Sequence, residues 1–202
     1  MVKKESKNNE ILLPNRKAFL KDVENGFFNK LVIFDISGFG NINHYYGYDF
    51  GEKILKIISF RLQERFENSQ MYYLGGDIFV ATASENISKE RFIQTIKATT
   101  WHFGYSPIEL DGHKVYIPLR AGVAINYPEL LFCAEFALKQ TRVLKHNLVI
   151  FDSEQHQVCH PNSLSIEQDL YWEAQIIQAI KKDRFEIFAQ SISNQNDKKY
   201  EI

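Results

Sequence analysis

The chain of 202 residues lacks several features that would mark particular classes of protein. Its formal net charge is −1, from 24 Lys and Arg against 25 Asp and Glu, so its charge favours neither a nucleic acid nor a membrane surface as partner. Two cysteines, Cys133 and Cys159, are too few for a disulfide framework, which predicts a reducing, cytoplasmic location. The sequence also lacks the run of about 20 apolar residues that crosses a membrane, although a longer parent protein with a membrane anchor is compatible with it.

What the chain does have is enough apolar material for a core, since hydrophobic residues make up 45% of it and 16 are Phe. The continuous apolar run Leu31–Phe34 predicts a strand buried on both faces, and it ends at Asp35. After a stretch rich in Gly and Asn, apolar residues at helical spacing predict a helix through about Arg65, carried by Leu55, Ile58 and Leu62.

Other local patterns complete a mixed α/β sandwich with a mostly antiparallel sheet, close to the ferredoxin-like arrangement. Capping residues predict helices that begin at Asn15 and at Ser88, and Pro128 predicts a third helix start. The turn at Asp111-Gly112 and the apolar runs after it predict two late strands, Val115–Ile125 and Leu148–Phe151.

A Gly-Gly pair between two β-rich segments predicts a hairpin with a carboxylate just past its turn. The pair is Gly75-Gly76, and the carboxylate belongs to Asp77. Asp35 is likewise displayed at a strand end, and two such carboxylates suit Mg²⁺, which also takes phosphate oxygens and water as ligands. Spacing alone equally allows Asp35 to cap the next turn and Asp77 to serve only the hairpin.

Several motifs in order resemble the GGDEF family, the diguanylate cyclases that join two GTP molecules into cyclic di-GMP. The resemblance extends from about Ile11 to Asp152 and includes the hairpin, a Gly- and Asn-rich loop after the first strand, a late strand and the closing helix and strand. The matching segments are Leu13–Arg16, Phe34–Asn43, Tyr46–Glu52, Tyr73–Phe79, Arg120–Ala124 and Ala134–Asp152.

The resemblance implies roles for individual side chains and a Mg²⁺ cofactor wherever nucleotide is bound. The metal positions fall on Asp35, the backbone carbonyl of Ile36 and Asp77. The nucleotide positions, where Asn43 and Glu52 meet guanine and the basic groups meet phosphates, fall on Asn43, Glu52, Gly75, Gly76, Asp77, Arg142 and His146.

The same resemblance has departures that predict a degenerate site. Ile78 stands where active members of the family carry a glutamate used in catalysis, and an apolar side chain can neither bind Mg²⁺ nor accept a proton. Gly40 replaces a lysine that meets the phosphates, and Ser37 replaces an aspartate. Phosphoryl transfer depends on charged groups that neutralise the transition state, so we expect cyclisation to be absent or very slow. The family's product-inhibition motif falls on Phe66 and Ser69 and is therefore missing.

The C-terminal residues resemble a second family, the EAL domains that hydrolyse cyclic di-GMP. Phe185–Ile192 looks like the first strand of that domain, with Gln190 on its motif glutamine. We therefore expect a frayed N-terminus over 1–10, the degenerate GGDEF domain over 11–152, a linker over 153–163 and a truncated EAL start over 164–202. The EAL catalytic residues would lie beyond Ile202, so this chain by itself is not expected to be a phosphodiesterase.

Three functions remain open from the sequence. The first is a GTP-binding regulatory module for an adjoining EAL domain. The second is a scaffold that binds no nucleotide and mediates dimerisation or docking, for which the apolar face around Trp172 is a candidate surface. The third is a slow diguanylate cyclase in which two chains, each with one GTP, meet face to face.

Overall fold

The computed structural model describes residues 11–153, 182, 184, 192–194 and 197–199. These belong to two compact units, one up to Cys159 and the other from His160 onward. The helices of the first unit are α1 (Arg16–Asn25), α2 (Phe39–Tyr46), α3 (Tyr48–Arg65), α4 (Lys89–Tyr105) and α5 (Leu130–Leu144). Its strands are β1 (Lys30–Ile36), β2 (Gln70–Gly75), β3 (Ile78–Ala83), β4 (Ile108–Leu110), β5 (His113–Val115), β6 (Leu119–Ile125) and β7 (Leu148–Asp152).

One five-stranded sheet, in the order β2-β3-β1-β6-β7, organises the first unit. All its pairings are antiparallel except that of β6 with β7. The central strand β1 pairs Asp35 with Ile78 of β3 on one side and with Arg120 of β6 on the other. This mixed α/β architecture confirms the fold class predicted from the sequence.

Each face of the sheet is covered by its own helices and its own apolar cluster. The larger cluster joins the sheet to α2, α3 and α4, and it includes Phe34, Phe79 and Val123. The smaller cluster joins the opposite face to α1 and α5, and it includes Ile33 and Val80. Because strand residues alternate between faces, β1 directs neighbouring side chains into different layers. We call these layers the α2/α3/α4 face and the α1/α5 face.

Local structure confirms some sequence predictions and corrects others. Asn15 caps α1 through a hydrogen bond from the Ala18 backbone N–H, 3.1 Å, and Ser88 caps α4 through the Arg91 N–H, 3.2 Å. The Gly- and Asn-rich stretch after β1 forms helix α2, because its buried Phe39 and Ile42 anchor one turn to the core.

Two further boundaries differ from the predictions. The segment predicted as one strand, Val115–Ile125, is divided: Val115 ends the small β4–β5 hairpin, and the central sheet resumes only at Leu119. The last helix begins at Leu130 with Glu129 as its cap residue, two positions after the Pro128 that predicted its start. In both places a proline precedes the regular element. Because proline has no backbone N–H, it is tolerated there, where no hydrogen bond of the strand or helix requires that donor.

The two cysteines also need a correction. Cys133 is buried on α5 and carries a disulfide bond, whereas the low cysteine count predicted no disulfide framework and a reducing compartment. Its only possible partner within the chain, Cys159, lies outside the described residues.

Most of the C-terminal predictions also lie outside the described residues, including most of the predicted strand Phe185–Ile192 and the surface around Trp172. In the second unit, β8 (Ile192–Asn194) and β9 (Asp197–Lys199) pair as a hairpin. No helix in the described part of the chain is long and apolar enough to cross a membrane.

Candidate nucleotide-binding site

The β2–β3 hairpin presents the Gly-Gly pair in the backbone conformation that favours glycine. Gly75 has φ 102° and Gly76 has φ 61°, and among the described residues, apart from the chain neighbours, no heavy atom lies within 4 Å of where a Cβ would stand at either position. The Tyr73 hydroxyl donates a hydrogen bond to the Gly76 carbonyl oxygen, 3.0 Å, which ties the turn to β2. The hairpin therefore leaves open space beside its backbone, as a close-approaching ligand requires.

Asp35, one of the two carboxylates at the metal positions, is buried and already paired with cations. Its side chain is 3% exposed, and its Oδ2 accepts hydrogen bonds from both Nε and a terminal nitrogen of Arg120, the former at 2.8 Å. Its Oδ1 lies 3.6 Å from a guanidinium nitrogen of Arg142 on α5. Two guanidinium groups therefore share this carboxylate.

The residues around Asp35 do not fit Mg²⁺ as they are arranged. Mg²⁺ demands near-octahedral oxygen ligands at about 2.0–2.1 Å, and a guanidinium group already occupies the approach to Oδ2. Within the described ranges, no group of three or more His, Cys, Asp or Glu side chains is placed to hold a metal ion. The cofactor expected from the family resemblance is therefore not supported by this arrangement.

Asp77, the second carboxylate, has a different environment. Burial raises the pKa of the Tyr73 phenol, and the negative charges of Asp77 and then Glu52 raise it further, which places both carboxylates near that phenol. Tyr73 packs on the α2/α3/α4 face. The backbone carbonyl of Asp77 accepts a hydrogen bond from the Ile36 N–H, 3.2 Å, so Asp77 and Ile36 are neighbours through their main chains.

Asn43 lies against α3 at a position that only glycine leaves free. A Cβ on Gly51 would stand 1.8 Å from the Asn43 Oδ1. That oxygen is buried and has no hydrogen-bond partner among the described residues. A buried acceptor without a donor is unfavourable, so this oxygen favours a ligand that brings an N–H group.

Ile78, which the family resemblance aligns with a catalytic glutamate, packs with the apolar cluster of the α1/α5 face. It lies directly across from Asp35 in the β1–β3 pairing. Paired residues of adjacent strands point to the same side of the sheet, so Ile78, Asp35 and Arg120 share one face. An apolar side chain therefore borders the Asp35 ion pair.

The basic residues predicted near the phosphates lie at the C-terminal end of α5. Arg142 is 63% exposed and reaches Asp35, whereas His146 is exposed beyond the end of the helix. The position of α5 is set by Gly122 of β6, where a Cβ would come within 2.3 Å of the backbone of Ala134 and Leu138. This close approach carries Arg142, one turn further on, toward the strand ends.

The other residues at which the sequence departs from the family resemblance have different surroundings. Phe66, at a predicted inhibition-motif position, is buried and packs edge-on against Phe34 and Phe92. The backbone N–H of Ser37 donates to the Pro118 carbonyl, 2.9 Å. Gly40 has open space around it.

Two contributors to the site were missed by the sequence analysis, Tyr73 and Arg120. Both lie on strands of the described sheet, Tyr73 on β2 and Arg120 on β6. Their roles depend on cross-strand register, which local patterns do not reveal.

A protein-family comparison identifies the domain to which these elements correspond. The model described as diguanylate cyclase, GGDEF domain, matches residues 12–142, well over half of the chain. Among curated proteins, the cyclic di-GMP phosphodiesterase NbdA of Pseudomonas aeruginosa is 29% identical across 89% of this chain. The chain spans only 24% of the length of that protein.

Solved structures share the fold. The GGDEF domain of YfiN, also called TpbB, from Pseudomonas aeruginosa superposes with a TM-score of 0.60 at 26% identity, covering 70% of this chain and 98% of that one. A diguanylate cyclase/phosphodiesterase from Caldicellulosiruptor saccharolyticus superposes with a TM-score of 0.62 at 18% identity, covering 71% and 91%. The α/β arrangement described above is therefore the one found in these GGDEF structures.

Proposed function

This chain belongs to the diguanylate cyclase GGDEF domain family and so to cyclic di-GMP signalling, and we propose that it acts there as a nucleotide-binding regulatory domain with little or no cyclase activity. The proposal has three parts: a retained guanine pocket, a lost catalytic centre and an adjoining phosphodiesterase domain. Each part is supported by different residues.

The buried, unpartnered Asn43 Oδ1 is the observation that carries the nucleotide-binding part. Guanine presents N–H donors along one edge, and Asn43 of α2 and the exposed Glu52 of α3 both carry side-chain oxygen acceptors. The glycine hairpin leaves room beside its backbone for the ribose and phosphates. A site built to hydrogen-bond a ligand N–H rejects analogues that lack it, so this pocket favours guanine over adenine.

The loss of cyclisation is supported by the residues around Asp35. Ile78 supplies neither a metal ligand nor a base, and Gly40 supplies no cation for the phosphates. Asp35 itself is hydrogen-bonded to Arg120. Removing one charged group from such a centre typically costs about a hundredfold or more in rate. Several such changes around one centre leave no route to efficient joining of two GTP molecules.

A regulatory role rests on the phosphodiesterase that this chain resembles. The match to NbdA covers more of the chain than residues 11–152 can supply, so it extends into the segment that resembles the start of an EAL domain. We infer that residues 164–202 lead into such a domain in the parent protein, after a linker over 153–163. Nucleotide occupancy regulates that domain only if it binds one conformation of the pair better than the other.

Calorimetric titration of GTP tests the nucleotide-binding part. We expect Asn43→Ala and Glu52→Ala each to weaken GTP binding by about tenfold, since each removes a hydrogen-bond acceptor from the guanine edge. Glu64→Ala, an exposed glutamate at the other end of the same helix α3, is the matched control and should leave affinity unchanged. Equal affinity in all four proteins would contradict the site assignment.

Restoring a carboxylate at position 78 tests the alternative of a slow cyclase. Position 78 is paired with Asp35 across the strands, so the new carboxylate in Ile78→Glu would compete with Asp35 for Arg120. In the single variant Arg120 therefore still blocks metal binding at these carboxylates. The sharper test is the double variant Ile78→Glu with Arg120→Ala, assayed for cyclic di-GMP. Product from the unmodified chain would contradict the proposal.

The scaffold alternative is favoured by the ion pair between Asp35 and Arg120, which occupies a predicted metal position. It predicts no GTP binding even at millimolar concentration. In that case the chain would serve only to dimerise or to dock the phosphodiesterase portion. The titration separates the two, because a scaffold has no reason to respond to Asn43 or Glu52.

A further inference from the structure

Arg120 stands where the resemblance predicts a divalent cation. It projects from β6 directly across from Asp35, in a run of seven paired positions from Lys30 with Ile125 to Ile36 with Leu119. Both its Nε and a terminal nitrogen donate to Asp35 Oδ2. Two N–H groups of one guanidinium therefore converge on a single carboxylate oxygen, each as a charge-assisted hydrogen bond.

The pairing is held in place by its surroundings. The Asp35 side chain is 3% exposed and that of Arg120 is 23% exposed, so solvent screens the contact only in part. β6 lies between β1 and β7, which prevents the strand carrying Arg120 from sliding past Asp35. Arginine also stays charged at any accessible pH, so the positive group is permanent.

The charges leave positive potential available for an anion. Arg120 and Arg142 together face the single carboxylate of Asp35, so positive charge is in excess within this trio. Arg142 is 63% exposed and 3.6 Å from Asp35, so N–H donors of its guanidinium group are available to another acceptor as far as the described residues go. A phosphate group is such an acceptor, and a guanidinium group binds it through two parallel hydrogen bonds.

We propose that Arg120 is a built-in cation that replaces the divalent metal at Asp35, so that this pocket excludes the metal and takes the phosphates of a nucleotide without it. The part concerning nucleotide rests on the proposed function. The part concerning metal exclusion rests only on Asp35 and Arg120.

Titration with Mn²⁺, followed by electron paramagnetic resonance without nucleotide, tests metal exclusion. We expect the unmodified chain and Asp35→Asn to bind Mn²⁺ equally weakly, because Asp35 is not available to the ion. Arg120→Ala should gain affinity of at least about tenfold, and Arg120→Ala with Asp35→Asn should lose that gain, as removal of a ligand predicts.

The matched control is Lys53→Ala, which frees Asp111 from an ion pair at 2.7 Å on the exposed surface. It releases a carboxylate without opening the site, so no Mn²⁺ affinity should appear. Arg120→Gln, which keeps a hydrogen-bond donor but not the charge, repeats the test if Arg120→Ala does not fold.

Two results would overturn metal exclusion by Arg120. One is Mn²⁺ binding by the unmodified chain that disappears in Asp35→Asn, because Asp35 would then bind the metal while Arg120 is present. The other is the absence of any gain in both arginine variants, because Arg120 would then not be what keeps the metal out.

Titration of GTP into the unmodified chain, with Mg²⁺ or with a chelator, tests the nucleotide part. Equal affinity under both conditions is expected. Binding that requires Mg²⁺ would overturn this inference while supporting the proposed function. Absence of binding under both conditions would overturn the proposed function and the nucleotide part, and the Mn²⁺ comparison would still decide the role of Arg120.

Discussion

The two faces of the central sheet hold the predicted site residues in different states. On the α1/α5 face, Asp35 is buried and its charge is met by Arg120 and Arg142. On the α2/α3/α4 face, Asn43 has an oxygen that no described residue hydrogen-bonds, and Glu52 is exposed. The difference teaches that the part of the site that would hold a base and the part that would hold a metal lie in separate layers with different electrostatic states. Variants that affect one face and spare the other test this separation.

The largest effect is expected from Arg120→Ala on the α1/α5 face. It leaves the buried Asp35 carboxylate without its main partner, which we expect to cost about 2–4 kcal/mol of unfolding free energy, because breaking a buried pair strands a charge. Glu52→Ala on the other face should change stability by less than about 0.5 kcal/mol. Urea unfolding of both variants measures the contrast, and equal costs would contradict it.

Gly122→Ala should give the next largest loss of stability. The added Cβ would stand 2.3 Å from backbone atoms of α5, which cannot turn aside, so the helix has to move. We expect a cost of about 1–3 kcal/mol, as for overpacking of a tight core.

Gly104→Ala is the matched control for Gly122→Ala. Gly104 lies within α4 with open space around it, so alanine there should raise stability by about 0.5–1 kcal/mol through helix preference. Thermal unfolding compares the two variants. A stabilising Gly122→Ala would mean that α5 does not approach β6 so closely.

Gly51→Ala applies the same chemical change to the α2/α3/α4 face, with a different expected result. Its Cβ meets the Asn43 amide, a side chain that can move, so stability should change by less than about 1 kcal/mol. GTP affinity should nevertheless fall by about tenfold, because the displaced amide no longer meets the guanine edge. Calorimetric titration of GTP into both proteins, under conditions in which both are fully folded, measures this change in affinity. A stable variant with unchanged GTP affinity would remove Asn43 from the site.

The smallest effect concerns the pH dependence of stability on the α2/α3/α4 face. Burial lowers the pKa of His102 on α4, and the positive charges of Arg65 and Arg61 lower it further. The unfolded chain therefore takes up this proton more readily, so the contribution of His102 is fully present above about pH 6.5 and is lost as pH falls through the folded-state pKa.

His102→Gln should make the loss of unfolding free energy between pH 7.5 and 5.5 smaller than in the unmodified chain. Denaturant unfolding at the two pH values measures the difference. A steeper loss in the variant would contradict the stated direction.

Much of this molecule could be predicted from local sequence. The capping oxygens of Asn15 and Ser88 and the apolar run of β1 led to the correct elements, because each acts within a few residues. One failure came from tertiary packing: the buried Phe39 and Ile42 make α2 out of a stretch whose Gly and Asn content favoured no helix. Tertiary burial outweighed propensity there.

The sequence by itself determined the fold class, the hairpin with its two glycines and the family to which the domain belongs. Only the tertiary structure decided that Asp35 is paired with Arg120, a residue 85 positions further along the chain, and is therefore not available as a metal ligand. The physical reason is register. Side-chain identity is written in the sequence, but which charges meet depends on how distant strands align in the sheet.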